Sequence, residues 1–215
     1  MTGVQTCALP ICHVVAFDSR SGEIVAEYPT GINPYGLALD AAHETLFVSN
    51  WGGRKPLATD TTDGIHPVVV DKRTGIPSSG TVSVFDIAEG KGIAEVEVGL
   101  HPSALALSPD QSRLYVANAN SDTVAQLHTG TLKLERSIAV PLYAKAPLGS
   151  SPNALLVLER LLTVVSAKSS STLFVTAVVG LGVVPAIFPK TVKLPFWKSS
   201  PFGDVPRLSA KLKKN

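Results

Sequence analysis

His13-Val-Val-Ala-Phe-Asp18 and Leu46-Phe-Val-Ser-Asn50 recur without gaps 68 residues later, as Val82-Ser-Val-Phe-Asp86 and Leu114-Tyr-Val-Ala-Asn118. The same offset relates six pairs of identical residues: Asp18 and Asp86, Gly22 and Gly90, Gly31 and Gly99, Pro34 and Pro102, Leu46 and Leu114, Asn50 and Asn118. A third copy begins 42 residues after the second, where Thr123-Val-Ala-Gln-Leu127 repeats Thr81-Val-Ser-Val-Phe85. We infer a repeat of about 42 residues, with an insertion of about 26 residues within 52–79 of the first copy.

Each repeat consists of short apolar runs separated by turn residues. Glu95-Val-Glu-Val98 alternates as a half-exposed strand does, Ala104-Leu-Ala-Leu107 is apolar on both faces, and Ser108-Pro-Asp-Gln-Ser112 supplies a turn. Four strands in about 42 residues are typical of a propeller blade, which buries its faces only against neighbouring blades. The sequence therefore predicts an all-β fold, an incomplete β-propeller of four-stranded blades with about three recognisable blades. The remaining blades are missing from this chain, so open sheet edges and aggregation are expected.

The repeats resemble the YVTN-type β-propeller family. The resemblance rests on Pro-x-x-Leu-Ala-Leu, the turn after it, and Leu114-Tyr-Val-Ala-Asn-Ala119, and it covers residues 13 to about 157. Ser49-Asn-Trp-Gly-Gly-Arg54, the insertion with its Pro67-Val-Val-Val-Asp71, and Gly80-Thr-Val-Ser-Val are similar to propellers that precede an alkaline-phosphatase-like phosphoesterase domain. The resemblance implies a bacterial protein of the periplasm or the extracellular space.

The two ends of the chain depart from the repeat. Residues 1–12 resemble the translation of a sequencing adapter and contain both cysteines, Cys7 and Cys12. They have no basic segment or long apolar run of a signal peptide. Residues 158–215 are interpreted as a degraded blade and a basic tail, which is either diverged or in an altered reading frame, with the altered frame favoured. Ser171-Thr-Leu-Phe-Val-Thr-Ala177 still resembles Glu44-Thr-Leu-Phe-Val-Ser-Asn50.

Charge is distributed unevenly along the chain. Residues 1–159 contain 10 Lys and Arg against 16 Asp and Glu, whereas residues 160–215 contain 9 against 1. The basic residues of the tail are scattered and lie in no nucleic-acid motif, so a nucleic-acid partner is not predicted. Residues 169–189 have no charge over 21 positions, but Gly180, Gly182 and Pro185 favour two buried strands over a membrane helix.

No residue set in the sequence indicates a reaction, a metal or a cofactor, and no catalytic, cofactor-binding or metal-binding residue is assigned. Gly52-Gly-Arg-Lys55 lacks phosphate-loop spacing, and Asp60-Thr-Thr-Asp63-Gly64 lacks the ligand pattern of an EF-hand, so a solvated turn is favoured there. Trp51 and Tyr35 are candidates to line a channel, with packing as the favoured role. The histidines are not paired at metal-ligand spacing; they are His13, His43, His66, His101 and His128.

Three hypotheses for function remain open. The first is a non-catalytic propeller module that binds an unknown protein or small-molecule ligand and forms part of a larger protein. The second is the propeller part of a metal-dependent phosphoesterase whose catalytic domain is missing. The third is a lactonase-like hydrolase, which the fold allows by analogy although no residue requires it.

Overall fold

The structure is a computed structural model that describes residues 12–63, 68–141, 143 and 145–158, and the backbone of two further strands at 161–168 and 172–179. Most of the adapter-like segment, His66, residues 180–189 of the uncharged run and the basic tail lie outside these residues. The described part contains strands, turns and loops and no helix, so it also contains no helix long and apolar enough to cross a membrane.

Within the described residues, thirteen strands form four antiparallel sheets. The first sheet has β1 (His13–Phe17) and β2 (Ile24–Pro29), and the last has β11 (Pro152–Leu158), β12 (Leu161–Lys168) and β13 (Thr172–Val179). Between them lie two four-stranded sheets in sequential order. These are β3 (Ile32–Asp40), β4 (Thr45–Gly53), β5 (Thr81–Asp86) and β6 (Lys91–Glu97), then β7 (Pro102–Leu107), β8 (Arg113–Asn118), β9 (Thr123–His128) and β10 (Lys133–Ala139).

The sheets are successive blades, and the prediction of an all-β, incomplete propeller is confirmed. Residues related by the 68-residue offset occupy equivalent positions: β3 and β4 correspond to β7 and β8, and β1 and β2 correspond to β5 and β6. The two-stranded first sheet is therefore the outer half of a blade. The long connection between β4 and β5, residues 54–80, has two isolated β-bridges of its own.

The core lies between the blades rather than within one sheet. Phe47 and Val82 from one blade and Leu114 and Val116 from the next are at most 2% exposed and form a single cluster. Complete burial of such a side chain contributes about 1.5–3 kcal/mol. Pairs of facing sheets thus stabilise each other, as the two-sided apolar pattern of the repeat requires.

A buried asparagine closes each of the two four-stranded blades at the end of its second strand. Asn50 Nδ2 donates to Thr81 Oγ1 at 2.9 Å and to Ser83 Oγ at 2.8 Å, and Asn118 Nδ2 donates to Thr123 Oγ1 at 3.1 Å. The repeated glycine lies against this amide: a Cβ on Gly31 would lie 2.7 Å from Asn50 Nδ2. The recurrence of both residue types therefore has a steric and a hydrogen-bonding cause.

The residue that precedes the first proline of each inner strand has a left-handed backbone. Asn33, His101 and Ser151 have φ of 54°, 50° and 47° and are followed by Pro34, Pro102 and Pro152. A side chain in this conformation is uncommon, and asparagine adopts it more readily than most. The turn after these strands is capped by Asp40 in the first blade, whose Oδ1 accepts from the amides of Ala42 and His43, both at 3.1 Å.

The last sheet differs from the repeat in two respects. β11 continues to Leu158 and β12 begins at Leu161, so the described residues of the run 156–162, which interrupts the repeat pattern, belong to two paired strands. Thr172–Val179, whose sequence is similar to that of β4, pairs with β12 as the third strand of its sheet, whereas β4 is a second strand. Pairing order here follows position along the chain and not local sequence similarity.

Candidate functional site

An open cleft of about 350 Å³ lies where β4 ends and β7 begins, beneath the long insertion. Two blades and the insertion contribute to it, and its walls combine aromatic, apolar and polar side chains. The lining residues are Asn33, Trp51, Asp63, Val68, Val70, Gly75, Pro77 and His101.

Two rings from different blades form one wall of the cleft. The Trp51 indole stacks on the His101 imidazole, with 4.0 Å between ring centroids and 27° between ring planes. Trp51 is nevertheless 41% exposed. Because His101 covers part of the indole, the remaining exposed area is available to a group that enters the cleft.

The imidazole of His101 has a lowered pKa. Burial is the largest cause, because it disfavours the charged ring, and a side-chain hydrogen bond with Asn120 opposes the shift. The wall at neutral pH is therefore an indole against an uncharged imidazole. Such a surface favours planar or apolar groups over anions.

The floor of the cleft is apolar and joins the insertion to the blade. Val68 and Val70 pack with Ile32, and all three are at most 8% exposed. The amide of Val70 donates to the carbonyl of Thr61 at 2.9 Å, and the amide of Ser78 donates to the carbonyl of Val69 at 3.0 Å. The insertion is thus held by packing and by backbone hydrogen bonds.

An ion pair fixes the first turn of the insertion. Arg54 Nη1 and Nη2 lie 2.6 Å and 3.0 Å from the two carboxylate oxygens of Asp60, and the Leu57 amide donates to Asp60 Oδ2 at 2.6 Å. The Arg54 guanidinium, followed by this amide, lowers the pKa of Asp60 to about 2. Two-point contact between a guanidinium and a carboxylate fixes orientation as well as distance.

The second turn of the insertion supplies the opposite rim. Asp71 Oδ1 accepts from the amides of Arg73 and Thr74, at 3.1 Å and 2.8 Å, and Gly75 follows with φ +67°. Pro77 then lines the cleft. The left-handed backbone favours glycine here, and steric crowding is not the reason, because the space around Gly75 is open.

The structure keeps the described histidines apart. His13 lies in β1, and His128 accepts backbone hydrogen bonds from Gly130 and Thr131. His43 Nδ1 lies 2.7 Å from Asp40 Oδ2 in the turn after β3, and its side chain is 70% exposed. Only His101 of these four lines the cleft.

The structure also locates the acidic, glycine and aromatic residues that the sequence analysis considered as candidates. Among the described residues no group of three or more histidine, cysteine, aspartate or glutamate side chains is arranged to hold a metal ion. Asp60 is bound to Arg54, and Asp63 lines the cleft. Gly52 and Gly53 are the last residues of β4. Trp51 lines the cleft, whereas Tyr35 is 69% exposed on β3 and lies outside it.

Sequence reasoning missed Asn33 and His101 as lining residues. They are equivalent under the 68-residue offset, and both directly precede the first proline of an inner strand and have a left-handed backbone. The signal was present in the repeated dipeptides Asn33-Pro34 and His101-Pro102. The identical prolines show that the two positions are equivalent, but the residues that line the cleft are the two different residues before them.

Sequential four-stranded blades packed face to face, with a cleft at one end of a blade junction, define this chain as a β-propeller module. No known family profile matches the sequence. Hydrazine synthase subunit beta of Kuenenia stuttgartiensis is 28% identical over 147 residues, an alignment that covers 56% of this chain and 35% of that protein.

Solved structures share the fold. Hydrazine synthase of Kuenenia stuttgartiensis has a TM-score of 0.57 at 21% identity, covering 78% of this chain and 40% of that one. The dihydro-heme d1 dehydrogenase NirN, in complex with DHE, has a TM-score of 0.50 at 16% identity, covering 80% of this chain and 34% of that one. The chain therefore spans less than half the length of each of these proteins.

Proposed function

We propose that this chain is a non-catalytic propeller module that binds a planar, largely apolar group in the cleft beneath its insertion. The observation that carries the proposal is the Trp51–His101 stack, which presents a partly exposed indole above an apolar floor. Aromatic stacking in a partly dry site adds about 0.5–1.5 kcal/mol to the area that is buried. The group belongs to a small molecule or to a side chain of a protein partner.

The chemistry of the cleft supports binding rather than turnover. The ionisable groups among its described lining residues are the imidazole of His101, one face of which stacks on Trp51, and the carboxylate of Asp63. No serine, threonine or cysteine is among the described lining residues, so the described lining offers no hydroxyl or thiol nucleophile. A relative that is named as a subunit of a larger enzyme also supports a role in assembly.

Binding is tested with the full chain and two planar, uncharged probes, indole and benzimidazole, by ligand-observed NMR. We expect saturation transfer to both probes and at least a fivefold loss of affinity in Trp51→Leu. Tyr143→Ser is the matched control, because this tyrosine is 55% exposed outside the cleft. Equal affinity of the Trp51→Leu and parent chains would contradict the assignment of the site.

The non-catalytic part is tested separately with p-nitrophenyl phosphate in the presence of zinc or magnesium, and with dihydrocoumarin as a lactone. We expect no turnover above a heat-treated sample of the chain. Turnover of either substrate that follows the purified chain through two chromatographic steps would favour the corresponding hydrolase and contradict this proposal.

A second candidate function rests on the insertion. Residues 49–54, 67–71 and 80–84 are similar to propellers of the YVTN type that precede a phosphoesterase domain. This similarity supports a longer protein that carries its metal site in another domain. The same resemblance supports a location in the periplasm or outside the cell. Long-read sequencing of the coding region on both sides distinguishes the two. A downstream frame with metal-binding Asp and His motifs favours the phosphoesterase, and repeats that only close a ring favour the binding module.

A further inference from the structure

The cleft beneath the insertion carries a negative charge beside its aromatic wall. Trp51 and His101 form that wall, and the carboxylate of Asp63 belongs to the same lining. The described lining residues include no lysine or arginine. Because burial lowers the pKa of His101 and keeps its ring uncharged at neutral pH, the charge that the described lining contributes is negative.

The arginine at the start of the insertion is engaged by other carboxylates. Arg54 contacts both carboxylate oxygens of Asp60, and its Nη1 donates to the Lys55 carbonyl at 3.1 Å. The hydrogen bond with Asp60 raises the pKa of Arg54, and the charges of Glu97 and Glu95 act in the same direction. The positive charge of Arg54 is therefore already balanced outside the cleft.

The exposed part of Trp51 is suited to a cation. The face of an indole ring attracts a cation within about 6 Å, and more strongly than the faces of the other aromatic side chains do. His101 stacks on this ring without a charge of its own, so it neither supplies the cation nor repels one. The 41% of Trp51 that remains exposed is a surface for a cation in the same cleft as the Asp63 carboxylate.

The apolar floor selects among cations. Val68, Val70 and Pro77 line the cleft and offer no polar side-chain atom. A guanidinium or amidinium is planar, weakly hydrated and able to pair with a carboxylate through two N–H groups, whereas an ammonium is compact and strongly hydrated. The cleft of about 350 Å³ lies at the lower end of the range for ligand pockets, about 300–1,000 Å³, and suits one such group with its apolar stem.

We propose that the planar group bound in the cleft is a cation with delocalised charge, a guanidinium or an amidinium, which stacks on Trp51 and directs its N–H groups to Asp63. This inference rests on the binding function proposed above and narrows it to one chemical class. The alkyl or aryl part of the ligand lies on the valine floor. The group belongs to an arginine side chain of a protein partner or to a small amidine.

The test compares two probes of the same shape: benzamidine, which is a cation at pH 7.5, and benzamide, which is uncharged. Their affinities for the full chain are measured by ligand-observed NMR at low ionic strength. We expect benzamidine to bind about fivefold more tightly than benzamide, and this preference to fall below about twofold in Asp63→Asn. Trp51→Leu should weaken both probes, because both stack on the indole.

Glu23→Gln is the matched control, because it removes one negative charge in the exposed turn between β1 and β2, outside the cleft. It should keep the preference for benzamidine. Equal binding of benzamidine and benzamide to the unchanged chain, or a preference that persists in Asp63→Asn, would overturn the inference. If indole then still binds in a manner that depends on Trp51, the proposed binding function stands alone, and if no planar probe binds, both are wrong.

N-acetylarginine methylamide separates the two sources of the group. Affinity that equals or exceeds that of benzamidine supports an arginine of a protein partner. Binding of benzamidine alone supports a small amidine. If neither cation binds more tightly than benzamide, the class of ligand is wrong.

Discussion

The indole ring of Trp51 and the imidazole ring of His101 stack at 4.0 Å although they belong to different blades. The contact connects the end of β4 to the residue that begins the next blade. It therefore makes the wall of the cleft sensitive to the position of two sheets and to the charge of one ring. Both properties can be measured.

Stability should fall with decreasing pH because of His101. Its pKa in the folded chain lies below the ordinary histidine value of 6.5, so the unfolded chain binds the proton more readily. The free energy of unfolding therefore decreases as the pH falls through 6.5 to the folded pKa, and this contribution is fully present above 6.5. Urea midpoints between pH 7.5 and 5 measure the slope.

His101→Asn is the matched variant, since Asn33 occupies the equivalent left-handed position. It should retain the fold and show a smaller decrease between pH 7.5 and 5. All other histidines are common to both chains, so the difference between the slopes belongs to His101. Parallel slopes would rule out a proton-linked contribution of this ring.

The Arg54–Asp60 pair should hold the insertion and not the blades. Asp60→Asn keeps the shape of the side chain but removes the charge that Arg54 contacts at two points. We expect limited proteolysis within residues 54–80 to become several times faster, with little change in the urea midpoint. Lys72→Gln, in the exposed second turn, is the control. Equal cleavage rates in both variants would mean that the ion pair does not order the segment.

The buried amide of Asn50 should contribute to global stability. Asn50→Ala leaves the Thr81 and Ser83 hydroxyl groups without their donor in a site that is closed to water. Loss of a partner for a buried polar group costs about 1–3 kcal/mol. Chemical denaturation should show a decrease in this range, whereas Asn153→Ala, on an exposed position of β11, should stay within about 0.5 kcal/mol. A neutral Asn50→Ala would assign the recurrence of this residue to another cause.

The repeat predicted the blades because period and residue type follow from one physical requirement, burial between sheets. Gly31 and Asn50 recur with Gly99 and Asn118 since each amide needs the space that its glycine leaves. The cleft could not be predicted in this way. Its insertion has no second copy, and Trp51 meets His101 only because two blades pack. The position of Thr172–Val179 as the third strand of its sheet could not be predicted either, because strand order depends on the neighbouring strands rather than on local sequence.

The open ends of this chain should drive self-association. Leu37 and Leu39 are more than half exposed at the first blade face, and Leu156 and Leu158 of β11 are 54% and 53% exposed at the last described one. Apolar faces beside unpaired edges recruit other chains. Sedimentation velocity should show species that grow with concentration, and Leu37→Lys with Leu156→Lys should increase the monomer severalfold. Ile93→Lys is the control, because Ile93 is 49% exposed on β6, and it should not increase the monomer. An equal increase in this control would mean that added charge alone explains the gain. A soluble monomer of the parent chain that melts cooperatively at high concentration would refute the open-face interpretation.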